Sequence, residues 1–163
     1  MAVLPLRKVP DPILRGKAKR VRNIDGSIRK LVEDMIDTMR DTSGVGLAAP
    51  QVGVPLRVIV IKVPEEEEER VLINPQVIKR MGEREVNEGC LSIPGYRGEL
   101  KRSVTVRVKG MDLEGNEVRI KAQDLLAQAL EHETDHINGI LYTDHLESMD
   151  KLYELEPEET ETA

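Results

Sequence analysis

The stretch Asp124-Leu-Leu-Ala-Gln-Ala-Leu-Glu-His132-Glu-Thr-Asp-His136-Ile-Asn-Gly139 organises the reading of this chain. Leu125, Ala129, His132 and His136 recur at intervals of three and four residues, which places them on one face of an α-helix. Leu125 and Ala129 turn that face inward, and Asn138-Gly139 offers a left-handed stop. Buried imidazoles need partners. Two of them four residues apart can grip one metal ion, and Glu133 sits beside the first, able to reach water at that ion. The chain has three histidines, and two of them occupy this spacing.

Working outward, Ile28, Leu31, Val32, Met35, Ile36 and Met39 have the spacing of a second helix. Asp25 or Ser27 would cap it, and Ser43-Gly44 would stop it. Before it, the basic segment from Pro5 to Gly26 carries no periodicity. After it, Gly44 to Gly53 reads as a glycine-rich loop. Val58-Ile-Val-Ile-Lys-Val63 is a β-branched strand, ended by Pro64 and by Glu65 to Glu69, a solvated hairpin tip. Strands resume at Val71-Leu-Ile-Asn-Pro75. Val104-Val106-Val108 and Val118-Ile120-Ala122 alternate with polar residues about a turn at Asp112 to Asn116. These elements predict an α+β fold, with antiparallel β-sheets packed around a central helix that carries the HExxH motif. Residues 1–150 form one domain, and residues 151–163 an acidic tail expected to be disordered.

Composition narrows the function. A formal charge of −6 gives no general attraction to nucleic acid or to an anionic membrane. No apolar run approaches the ~20 residues of a membrane span, and the start lacks the features of a signal peptide. Cys90 is the only cysteine, so no internal disulfide can form, and a reducing cytoplasm fits best.

Two histidines do not complete a metal site, and the third ligand separates enzyme classes. In proteases that continue the motif as HExxHxxGxxH, the third histidine falls where this chain has Tyr142. His145, Glu147 and Glu154 are later candidates, but little chain remains to build a second lobe around them. Cys90, within Glu88-Gly-Cys-Leu-Ser92, is the better one, with Gly89, Pro94 and Gly95 breaking a strand pattern around its sulfur. One thiolate and two neutral imidazoles leave a fourth position for water, the arrangement of a catalytic zinc-like site.

Gly44-Val-Gly46-Leu-Ala-Ala-Pro-Gln51, Glu88-Gly-Cys-Leu-Ser92 and His132-Glu-Thr-Asp-His136, in this order, resemble the peptide deformylase family. The resemblance extends from the start to about His145. It implies a hydrolase that removes the formyl group from N-formylmethionyl peptides of nascent chains. Cys90, His132 and His136 would hold the metal and Glu133 would serve as general acid and base. Gln51 and the Leu91 N–H would receive the formyl oxygen. Gly46 and Gly89 would offer backbone groups to the peptide, and Val45, Val86, Leu125 and Ala129 would line the methionine pocket. A Glu88–Arg102 charge pair would brace the cysteine segment.

The resemblance implies Fe²⁺ as the native ion, with Zn²⁺, Ni²⁺ or Co²⁺ able to substitute. The chain is expected to act as a monomer. Some relatives meet the ribosome through a basic C-terminal helix, whereas the acidic residues here offer RNA no attraction, so any ribosome association would be transient and not through the tail. Glu131 stands where many members have glutamine. Two other readings compete: a small HExxH metallopeptidase, and a non-catalytic domain with a structural metal.

Overall fold

The Asp25 carboxylate accepts from the Ser27 and Ile28 amides at 3.0 and 3.2 Å, satisfying donors that every helix start leaves unpaired. In the computed structural model, which describes residues 2–155, this cap opens helix α1, Gly26–Asp41. Strands β1 (Gly46–Ala48), β2 (Val58–Ile61), β3 (Arg70–Met81), β4 (Arg84–Cys90), β5 (Ile93–Arg102), β6 (Thr105–Met111) and β7 (Glu117–Gln123) follow. Helix α2, Asp124–Ile137, carries the HExxH motif, and a short strand β8, Leu152–Glu154, comes last.

All paired strands are antiparallel. One sheet has the order β1-β2-β3-β6-β7 and the other β4-β5-β8, so the α+β expectation holds. Alternation along the strands of the larger sheet makes two apolar faces. Ile59, Ile61, Leu72, Val106, Val108 and Ile120 pack on Ala127, Leu130 and Ile137 of α2. On the other face Val58, Val60 and Ile73 meet Ile28, Val32, Met35 and Met39 of α1. Each such side chain, fully buried, contributes roughly 1.5–3 kcal/mol of transfer free energy. Helix α2 touches all five strands, whereas α1 packs mainly on β1 and β2.

The end of α2 is locked to the N-terminal segment. Ala18 N–H donates to the Ile137 carbonyl at 2.8 Å, and Gly139 follows at φ +76°. A Cβ at Gly139 would stand 2.5 Å from the Arg15 carbonyl oxygen, so both conformation and space demand glycine.

Four expectations need correction. The loop from Gly44 to Gly53 contains strand β1 and a 3₁₀ turn, Ala49–Val52, because β2 offers an open edge for Gly46–Ala48 to pair with. The strand that restarts at Val71 runs past Pro75 to Met81. The missing proline N–H is absorbed by a register shift between Ile73 and Gln76. The break around Cys90 is narrower than expected: the ladder shifts register between Glu88 and Cys90, but Cys90 ends β4 and pairs with Ile93, and β5 runs through Pro94 and Gly95, the latter at φ +86°. The predicted tail begins too early, since Leu152–Glu154 add to β5 opposite Gly98, Arg97 and Tyr96. Residues 156–163 of that tail lie outside the described residues. The glutamate run does sit between β2 and β3, but Glu66 bonds Arg70 and Glu69 bonds Arg40. Among the described residues no helix is long and apolar enough to cross a membrane.

Candidate metal centre

Helical spacing and strand alternation bring three ligand atoms together. His132 and His136 project from one face of α2, and β4 delivers Cys90 against them. Cys90 Sγ lies 3.2 Å from His136 Nε2, and that nitrogen lies 3.1 Å from His132 Nε2. All three ligand atoms fall within 4.8 Å of one another, and all three residues are buried. Tetrahedral bonds of about 2.0–2.3 Å to nitrogen and sulfur would set such atoms roughly 3.3–3.6 Å apart. The triangle therefore fits a metal, and converging lone pairs in a dry interior call for a cation.

A buried charge network holds His132. Its Nδ1 meets the Glu88 carboxylate, which leaves Nε2 facing Cys90 and His136. Arg102 donates to both oxygens of Glu88 at 2.9 and 2.6 Å and to Asp135 at 2.8 Å. Asp135 also meets His145 Nε2 at 2.8 Å, and Gln128 donates to Glu88 at 3.2 Å. Burial works against ionising Glu88, but His132 and Arg102 overcome it and hold the carboxyl well below the usual range. Burial also resists charge on His132, yet Glu88 outweighs it and raises the imidazole above its ordinary value. At His136 burial and neighbouring His132 act together and push the imidazole well below.

The Glu88–Arg102 pair is thus no surface contact: the two side chains are 4% and 3% exposed. Arg102→Met should destabilise the protein by about 3–5 kcal/mol, the usual cost of leaving buried partners uncompensated. A urea midpoint equal to wild type would contradict that assignment.

Glu133 lies beside the triangle, 1% exposed, with Oε1 lacking a hydrogen-bond partner among the described residues. Burial, opposed in part by His132, pushes its carboxyl up to about 7. Gly46 of β1 passes directly over it; a Cβ there would stand 2.6 Å from Glu133 Oε2. Gln51 accepts from the Ala48 N–H through Oε1 at 3.0 Å, which aims its NH₂ at Cys90 Sγ, 3.6 Å away, and at Ser92 Oγ, 3.1 Å away. Leu91 and Gly89 flank the cysteine and are buried.

Val45, Leu125 and Ala129 line a small cavity of ≈ 20 Å³ whose wall includes His132 and Glu133. Val86 is not part of that lining. It shares a face of β4 with Glu88 by two-residue alternation, and packs in a cluster with Cys90, Leu14, Ile93, Leu100 and Tyr142. A cleft of about 700 Å³ lies on Asp135 and His145, and its lining does not include the ligand residues.

Sequence reasoning missed Asp135, His145 and Ser92 as members of this network. Asp135, an acid inside the motif, was the available signal; His145 carried none. The other candidate ligands are engaged elsewhere: His145 with Asp135 and Glu147 with Lys101.

Residues 3–152 match the family model described as polypeptide deformylase. A peptide deformylase of Dehalococcoides mccartyi (strain BAV1) is 56% identical over 98% of this chain and 95% of its own length. One from Thermomicrobium roseum is 47% identical over 100% and 97%. The crystal structure of a peptide deformylase from Legionella pneumophila is similar with a TM-score of 0.88 and 43% identity, covering 92% of this chain and 89% of that one. A peptide deformylase from Synechococcus elongatus in complex with actinonin gives 0.87 and 41%, covering 91% and 81%. With a Cys/His/His triangle, a buried glutamate at its side and a match along nearly its whole length, the chain belongs to the polypeptide deformylase family.

Proposed function

We propose that Cys90, His132 and His136 hold one Fe²⁺ ion and that Glu133 works beside it to hydrolyse the formyl amide of N-formylmethionyl peptides. The convergence of three buried ligand atoms next to a buried, underbonded carboxylate carries this reading. Bound there, the ion supplies Lewis acidity and brings the pKa of water down to about 7.

The protein's own residues account for the rest. Glu133 takes the proton of the attacking water and returns it to the leaving amine. Negative charge grows on the formyl oxygen, where the Gln51 NH₂ and the Leu91 N–H donate to it. One such donor is worth about 10²–10³ in rate. The peptide enters between β1 and β4, each at the edge of its own sheet, and pairs with Gly46 and Gly89 as an added strand. Its methionine fills the cavity at Val45, Leu125 and Ala129, which widens to take it. Formate and a free methionine amine leave. We read the chain as a cytoplasmic monomer that meets nascent chains transiently at the ribosome, without a basic C-terminal helix.

The substrate reading predicts that formyl-Met-Ala-Ser is cleaved far faster than acetyl-Met-Ala-Ser and that internal peptide bonds survive. A site packed for hydrogen on the carbonyl carbon must displace atoms to accept methyl. Cleavage of unblocked peptides would favour the metallopeptidase instead.

Iron beside a thiolate makes both partners oxidisable. The Fe²⁺ form should lose activity in air or peroxide faster than the Ni²⁺ or Co²⁺ forms. Equal lifetimes would argue against iron at this site.

A further inference from the structure

Helix α2 covers one face of the five-stranded sheet from end to end, but α1 covers the other mainly at β1 and β2. Beyond Ile73 and Met111, which pack towards α1, the outward side chains Gln76, Lys79, Arg107, Arg119 and Lys121 are exposed and Lys109 is half-buried, and their register is unusual. Lys79 stands directly opposite Arg107, and Arg107 opposite Lys121. In the next row Gln76 stands opposite Lys109, and Lys109 opposite Arg119. Like charges placed directly across a ladder are destabilising. This chain has more carboxylates than cations, 30 against 24, and so had neutral pairings available.

Little on this face offsets the repulsion. Glu117 bonds Arg119 at 2.9 Å and also acts on Lys109, one carboxylate among five cations. Lys79, Arg107, Lys109 and Lys121 form no salt bridge among the described residues. The positive field continues past the sheet edge. Arg20, Lys109 and Gln76, with Glu117 as the one acid, line a cleft of about 260 Å³, and Arg20, Lys17 and Arg57 an adjoining one of about 420 Å³. Arg57 is fixed there by the Ala18 and Ile137 carbonyls and by Asn138 Oδ1, so it cannot swing away from Arg20.

From these ladders we infer that the uncovered face of β3, β6 and β7 is a docking surface for the phosphodiester backbone of RNA. Strand geometry sets its cations on a grid of roughly 4.8 by 7 Å. Gln76 adds an amide suited to sugar and base edges, whereas the Asn74 amide is held at both ends by the Val21 backbone. A lipid surface fits less well: Ile78 is the one large apolar side chain exposed on these three strands, and they carry no aromatic residue to enter a bilayer. The face lies away from the β1 and β4 edges, so a docked protein keeps its peptide groove open.

The test measures binding of the metal-loaded protein to an RNA duplex of about 20 base pairs and to phosphatidylglycerol vesicles across a salt series. Wild type should bind the RNA, and Lys79→Gln/Arg107→Gln/Lys121→Gln should weaken binding by at least about tenfold at ~0.1 M salt. The log–log salt slope should fall by about 2–3. Lys62→Gln/Lys101→Gln/Lys151→Gln makes the same change in net charge off this face and should bind as wild type does. The face variant should also melt higher, because repulsion has been relieved, and release formate from a short formyl-Met peptide at the wild-type rate. Equal weakening by both variants, preference for the vesicles, a lower melting temperature of the face variant, or no RNA binding by wild type would each overturn the inference.

Discussion

Glu133→Gln should reduce turnover by at least about 10²–10⁴-fold, the range expected for lost general acid–base catalysis, while metal content and fold are retained. Residue 133 follows His132 by one helical step of about 100°, so its carboxylate lies beside the ligand face and not on it. It is sealed there by Gly46, where any side chain would collide with it. Glutamine keeps the shape and one accepting oxygen but cannot carry a proton from water to the leaving amine. Affinity for formyl-Met peptides should therefore hold while formate release collapses. Near-normal turnover would remove Glu133 from the mechanism. Loss of the metal would make it a ligand or a fold determinant.

Cys90→Ala should abolish metal binding and activity together while the domain stays folded. Two imidazoles on one helix can still touch an ion, but the third corner of the triangle disappears. The Gln51 amide also loses one of its two acceptors. The fold should survive because Cys90 is one small member of a cluster that includes Leu14, Leu100, Leu141 and Tyr142. Removing a sulfur-sized group there leaves a cavity at a cost of a few kcal/mol at most. Full occupancy and normal turnover in this variant would sink the ligand assignment.

The parts legible in the sequence were those that depend on local periodicity. Helical spacing at His132 and His136, the Asp25 cap and the β6–β7 hairpin about Asp112 to Asn116 all follow from neighbours a few residues apart. The glycine-rich segment hid β1, because three residues pair only when β2 is already beside them. Likewise Gly89, Pro94 and Gly95 masked a hairpin that is held by its partner strands and not by propensity. Val86 was named through the resemblance and not by spacing, and it packs with Cys90, Leu14 and Leu100. His145 reaches Asp135 only through the turn that follows Gly139, a long-range consequence invisible to spacing rules.

Whether these three residues and one ion perform the hydrolysis is measured directly by metal titration. Metal-free protein is titrated anaerobically with Fe²⁺ while formate release from formyl-Met-Ala-Ser is followed on the same sample. Activity should be absent at the start, rise linearly, and break at a single equivalent of metal. Full activity before any metal is added, or a rise with no break at that point, would contradict the one-ion assignment.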